Sequence, residues 1–242
     1  MADFHCGTSG FEYDHWRGRF YPEDMPRGQW FSHYSEVFDT VEINNTFYGL
    51  PEEGTFRSWE DRAPEGFIHA LKFSRYGTHM KYLKDPEETI PNFMERAELL
   101  GSAMGPILVQ LPPRWTPDPG RLRGFLQEAP EDVRWAVEFR NEGWLREDIF
   151  DILREHGAAL CIHDLLEDHP RILTADWTYL RFHGLEKYSG SYPSSRLQGE
   201  AGGITAQLQE GTDVYAFFNN DEKGAAPRNA LELRKMVDSR PE

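Results

Sequence analysis

Short apolar, β-branched or aromatic runs recur along the chain, separated by polar segments whose apolar residues return at helical spacing. Eight runs have the length and composition of strands: 3–9, 40–47, 67–74, 106–112, 134–140, 158–164, 177–184 and 213–220. Helices are expected between many of them. Trp30, Phe31, Tyr34 and Phe38 share one face of 28–38. Phe93, Ala97 and Leu100 do so in 90–105, and Leu122, Phe125, Leu126 and Ala129 in 120–130. Segment 146–157 opens on acidic residues and closes on Gly157, where a helix stop is expected, and Ala230, Leu233 and Val237 line 228–237.

Strand–helix alternation throughout a chain means parallel strands joined by crossover helices. Eight strands predict an α/β fold, a (β/α)8 TIM barrel occupying residues 1–242 as one domain. An open doubly wound sheet is less favoured, because no Gly-x-Gly-x-x-Gly turn follows the first strand. Two connections look irregular. Residues 165–176, before strand 7, are too few for a helix and its loops. Residues 184–203, before strand 8, read as a long Gly- and Ser-rich loop that could act as a lid.

Polar residues interrupt this apolar pattern at the strands' C-terminal ends, where a parallel barrel builds its active site. In "WAVEFRNEGW" (135–144), Trp135, Val137 and Phe139 fall on one face while Glu138 and Arg140 share the other. Glu42 with Asn44, and Arg181 with His183, repeat the spacing; Ser9, Lys72, Gln110, Asp164, Asn219 and Asn220 complete a ring to which every strand contributes. Burying so many charges costs several kcal/mol each unless they are paired or functional. Glu138 and Glu42 are the candidate acid–base pair. Lys72, Arg140 and Arg181 suit a phosphate or carboxylate. His183 is the natural proton carrier, with Asp164 orienting it or joining it on a metal. His79 follows the third strand and could reach over the mouth, and Tyr48 with Tyr13 and Trp16 could wall it. The structural alternative is that Glu138 and Arg181 or Lys72 merely neutralise each other.

Charge narrows the partners. With 26 Lys and Arg against 41 Asp and Glu the net charge is −15, which disfavours broad binding to nucleic acid or anionic membranes but leaves room for a local basic pocket. A divalent metal is not favoured, because three cations compete for the same space and the strand ends offer only His163 and His183 beside two or three carboxylates. No apolar run approaches the ~20 residues of a membrane span, and the opening residues lack the basic and apolar segments of a signal peptide. Cys6 and Cys161 have no metal-ligand spacing, so a reduced, cytoplasmic setting is the expectation.

Eight motifs, taken together, carry a resemblance: "GTSGF" (7–11), "VEINNTFY" (41–48), "KFSRYGTH" (72–79), "GPILVQLPP" (105–113), "EFRNEGW" (138–144), "CIHD" (161–164), "YLRFHG" (179–184) and "YAFFNNDEKGAAPRNA" (215–230). They resemble the domain of unknown function 72, or YecE-like, family. The resemblance implies a TIM barrel related in architecture to sugar-phosphate isomerases and endonuclease-IV-like barrels, without implying a particular activity. Its motif residues here are Glu42, Asn44, Lys72, Arg75, His79, Gln110, Glu138, Arg140, Asp164, Arg181, His183, Asn219 and Asn220. Asn141 stands where the family often has histidine, and "GEAGG" (199–203) is expected to interrupt the helix before the last strand.

The favoured functional expectation is an enzyme (a hydrolase, lyase or isomerase) working by general acid–base chemistry on a small polar, anionic metabolite. A metal-assisted nuclease or nucleic-acid binder and a non-catalytic ligand-binding module are the alternatives, and the nucleic-acid reading rests on fold analogy alone.

Overall fold

The structure, a computed structural model, describes residues 2–239; residues 1 and 240–242 of the expected domain lie outside it. In chain order the elements are β1 (Phe4–Ser9), α1 (Trp30–Ser35), β2 (Thr40–Ile43), α2 (Asn45–Tyr48), α3 (Glu53–Arg62), β3 (Ile68–Lys72), α4 (Pro86–Ala97), β4 (Met104–Gln110), α5 (Pro119–Glu128), β5 (Trp135–Glu138), α6 (Glu147–Glu155), β6 (Ala159–His163), β7 (Trp177–Phe182), α7 (Ser194–Gln209), β8 (Asp213–Phe218) and α8 (Ala225–Asp238). The strands follow one another in sequence order around a closed barrel, and β8 pairs in parallel with β1. This is the (β/α)8 fold. No helix separates β6 from β7, and the connection to β8 runs irregularly over 183–193 before α7 begins.

Contacts along the chain gather into two compact units. The first comprises the described residues up to Glu42, His163–Leu165, and those from Trp177 onward; the second comprises Ile43–Ile162 and Leu166–Asp176. In the first, Ser9 pairs in register with Glu42, and Arg181 with Phe217. Gly7 cannot be replaced there, since a Cβ would lie 2.2 Å from the Thr40 carbonyl oxygen of the neighbouring strand. The aromatic stripe expected in 28–38 is buried: Trp30, Phe31, Tyr34 and Phe38 all face the core, and Trp30 stacks on Tyr21 at 4.8 Å. In the second unit, Phe73 packs on Phe93 and Phe125, and Phe125 on Trp135, so α4 and α5 are fastened by the apolar faces their spacing predicts.

Two expectations need correction. "GEAGG" does not break a helix: α7 runs through residues 199–203 without interruption. Each helical glycine costs roughly 1 kcal/mol relative to alanine, but Leu197, Ala201 and Ile204 are buried on one face, and their packing outweighs that local penalty. The second concerns strand length. β2 ends at Ile43, and Asn44 leads into the single turn of α2, because Thr46 Oγ1 donates to the carbonyls of Ile43 and Lys72 (3.2 and 2.8 Å) and folds the chain back. Likewise Arg140, Asp164, His183, Asn219 and Asn220 lie just past the ends of their strands.

Candidate functional site

The polar residues expected at the strand ends resolve into two clusters, one in each unit.

In the first unit Glu42, fully buried, is the hub. Its Oε1 accepts from Arg181 Nη2 and Ser9 Oγ, both at 2.7 Å, and its Oε2 from the Tyr179 hydroxyl at 2.7 Å. Burial alone would push this carboxyl up, but the adjacent Arg181 charge and the three donors outweigh it and hold Glu42 below the ordinary carboxylate range. A carboxylate so engaged anchors Arg181 and Tyr179; it is a poor proton donor near neutral pH. Glu42, expected as one of the acid–base pair, and Ser9, expected to bind a ligand, thus share one hydrogen-bonded set with Arg181 and Tyr179.

Beside this hub stands an oriented histidine. Asp164 Oδ1 accepts from the His183 backbone amide (2.9 Å) and faces its Nδ1 at 3.2 Å, while Oδ2 accepts from the Tyr192 hydroxyl. Desolvation tends to raise Asp164, yet the His183 and Tyr192 hydrogen bonds bring it below its usual range. An ionised Asp164 places the His183 proton on Nδ1, and Nε2, 3.5 Å from Arg181 Nη1, becomes the acceptor. Asp164 and His183, expected together either as an oriented pair or on a metal, are in contact here. His163 meets His183 edge-on at 5.9 Å between ring centroids. Among the described residues, no three His, Cys, Asp or Glu side chains gather as a metal's ligand set.

Tyr192 and Asn229 had no part in the expected ring, and both secure this cluster. Asn229 Oδ1 accepts from the Ser191 hydroxyl, the Tyr192 amide and Asn220 Nδ2, and Asn220 Nδ2 also reaches the Gly190 carbonyl at 2.8 Å. Asn220, expected to bind a ligand, ties down the 190–192 turn through its Nδ2. Asn219 donates its amide to the Phe182 carbonyl at 2.7 Å. Of the segment 184–203, expected as a loop that could act as a lid, the part from Ser194 is helix α7, and the part before it is bonded to Asp164, Gly184 and Asn229. Gly184 sits at φ +96°, a Cβ there would lie 1.9 Å from the Ser189 carbonyl oxygen, and its amide donates to the Tyr192 hydroxyl at 2.5 Å. Gly184→Ala is expected to cost more than about 1 kcal/mol and to speed amide exchange over 184–192. Wild-type exchange rates in that variant would contradict the turn's role.

The second unit holds the cations. Lys72 ends β3 with its Nζ 4.3 Å from the Phe47 ring centroid, and the Phe47 ring meets His79 edge-on at 5.0 Å. One turn of π-helix over Tyr76–Met80 presents His79 directly after the strand, a local irregularity frequent at functional sites. Thr78 gives its single hydroxyl proton to the Ser74 carbonyl (2.9 Å), so it accepts from His79 Nδ1 (2.9 Å) and leaves Nε2 as a bare acceptor. Partial burial first, and then the positive charges of Lys72, Arg75 and Arg140, push the imidazole down to about 4. At the ends of β4 and β5, Gln110 and Glu138 are in register. Arg140 bonds Glu138 closely and reaches Gln110 Oε1 at 3.5 Å. Glu138 is fully buried, 3.9 Å from Cys161 Sγ. Asn44 precedes α2 and Tyr48 closes it; Tyr48 is 78% exposed. In the first unit, Trp16 is buried in the core, against Tyr13 at 4.9 Å.

Eight parallel strands with buried acid, imidazole and guanidinium groups clustered at their C-terminal ends define a (β/α)8 barrel protein of the kind that places its chemistry on strand-end residues. The chain belongs to the DUF72 family ("Protein of unknown function DUF72"), which it matches over residues 5–242. It is similar to the UPF0759 protein YunF of Bacillus subtilis (22% identity, 85% of each chain). It is similar as well to YecE of Escherichia coli, at 28% identity over 109 residues; that match takes in 45% of this chain and only 40% of YecE's length. A DUF72 family protein of Thermotoga maritima, 30% identical, superimposes with a TM-score of 0.80 over 98% of this chain and all of its own. One from Enterococcus faecalis, 20% identical, shares the fold at a TM-score of 0.83 over 99% and 97% of the two chains. No helix among the described residues is long and apolar enough to cross a membrane.

Proposed function

We propose that the protein is an enzyme acting by general acid–base chemistry on a small anionic metabolite, a phosphate or carboxylate, held by Lys72, Arg75, His79 and Arg140. The observation that carries this reading is Lys72 and His79 set against one ring, Phe47, at 4.3 and 5.0 Å, with Arg75 and Arg140 adding positive charge toward His79, in a chain whose net charge is −15. Gathering like charges costs Coulomb energy that a bound anion reverses. Gln110, beside Arg140, supplies a neutral polar contact, and Glu138, a carboxylate bonded to Arg140 in the same unit, is assigned as the proton acceptor and not as a donor. The Asp164–His183 pair is a second group built for proton transfer. The reading places the protein in a reducing, cytoplasmic setting, where the buried thiols of Cys6 and Cys161, not joined in a disulfide, would persist.

The test is turnover of sugar phosphates and carboxylic acids by wild type and Glu138→Gln. Removing a positioned acid–base group is expected to lower kcat by about 100-fold or more while the anion still binds. Equal turnover in the variant would remove Glu138 from the mechanism. Binding without any product in wild type would leave a ligand-binding module instead.

A further inference from the structure

The anion cluster has an aromatic neighbour that the acid–base reading does not use. Tyr48 is 78% exposed and meets Phe47 edge-on, with ring centroids 5.1 Å apart at 84°. Phe47 in turn touches His79 at 5.0 Å and lies 4.3 Å from Lys72 Nζ. Two ring contacts therefore separate a solvent-facing phenol from the cations. Single exposed aromatics are ordinary, but Tyr48 is not single. Of the nine exposed large hydrophobic residues among the described ones, five (Tyr48, Leu50, Tyr76, Met80 and Tyr82) fall on the segments following β2 and β3, beside Lys72 at the end of β3 and with Arg75 and His79 after it. Residues 72–84 also contain four Lys or Arg and no acidic residue, against the trend of the chain.

A cation cluster with an exposed ring beside it selects for a ligand that is anionic at one end and flat at the other. We infer that the metabolite is a nucleoside monophosphate or a close analogue, its phosphate on Lys72, Arg75, His79 and Arg140 and its base stacked on Tyr48. This rests on the anion-binding reading and specifies its substrate class. Phe47 links the two ends, in contact with Lys72 and His79 on one hand and Tyr48 on the other. Every base has a π-face, so one tyrosine gives a preference for a ring without choosing among bases.

Calorimetric titrations with inorganic phosphate, ribose 5-phosphate, adenosine monophosphate and a short single-stranded oligonucleotide test the inference. Adenosine monophosphate is expected to bind about tenfold more tightly than ribose 5-phosphate, the range one base–aromatic stack supplies. Tyr48→Ala should bring it down to the level of ribose 5-phosphate, and Tyr48→Phe should keep the preference. An unchanged melting temperature in both variants separates a lost stack from a lost fold. Equal affinity of wild type for adenosine monophosphate and ribose 5-phosphate, with phosphate still bound, would overturn the ring and leave the anion site standing. If not even inorganic phosphate bound, both would fall. Much tighter, steeply salt-dependent capture of the oligonucleotide would also overturn the mononucleotide assignment, in favour of a nucleic-acid strand.

Discussion

Replacing Arg181 with methionine is expected to lower the free energy of unfolding by about 3–5 kcal/mol, because the change strands Glu42 as a buried charge. The Arg181 and Glu42 side chains are 1% and 0% exposed, and their 2.7 Å contact sets charge against charge, whereas Ser9 and Tyr179 donate to Glu42 as neutral groups. Tyr179 and Ser9 would remain as donors, and two neutral hydrogen bonds do not replace a guanidinium. The penalty should depend on pH. With Arg181 gone, desolvation dominates and the folded-state pKa of Glu42 rises above its unfolded value. The variant's deficit is then full above that raised pKa and shrinks as acid protonates the carboxyl. Urea unfolding at neutral and mildly acidic pH reads both effects. A deficit below about 1 kcal/mol, or one that grows as the pH falls, would show that Arg181 does not neutralise Glu42.

The second large effect concerns His69, in β3 and fully buried between Trp59 (6.3 Å, stacked) and Phe67 (5.0 Å, edge-on). Burial pushes its imidazole down from 6.5 to about 4. Between those values the unfolded chain takes up a proton that the folded chain refuses, so stability falls as pH drops from about 6.5 toward 4. The total is about 3 kcal/mol. His79, lowered to about 4 as well, adds a smaller loss of the same sign, reduced by its contact with solvent. In His69→Phe the slope of stability against pH over this window should flatten by nearly the whole His69 contribution. An identical slope in wild type and variant would mean that His69 titrates normally in the fold.

Much of the fold is legible in the amino-acid sequence. Eight strand-like runs and the stripe Trp30–Phe31–Tyr34–Phe38 foretell the barrel and its packing, since period and burial are local properties. The spacings Glu138–Arg140 and Arg181–His183 foretell neighbours that do touch. What sequence spacing does not carry is choice of partner across strands. Sequence spacing leaves open which glutamate meets Arg181, and the 2.7 Å contact shows that Glu42 does. Tyr192 escapes a sequence reading because a tyrosine in a Gly- and Ser-rich loop gives no periodic signal, and its role appears only when the turn at Gly184 brings it to Asp164. α7 escapes for the opposite reason: its glycines speak locally against a helix that Leu197, Ala201 and Ile204 hold together by tertiary contact. α3 offers just Phe56 and Trp59 as buried residues, too few to stand out as a stripe.

The central claim is that Lys72, Arg75, His79 and Arg140 form an anion site, and a sulfate titration tests it most directly, because sulfate carries two charges and does not titrate in the relevant range. Partial burial first, and then the cations, hold His79 unprotonated down to about 4, so an anion that cancels the cations' share must raise its pKa and draw in a proton. Calorimetry at roughly pH 5, in two buffers of different ionisation enthalpy, measures that proton. The account predicts saturable sulfate binding with proton uptake, uptake abolished in His79→Gln, and affinity at least about tenfold weaker in Lys72→Met. Saturable binding with no proton uptake, or no saturable heat at all, would contradict it.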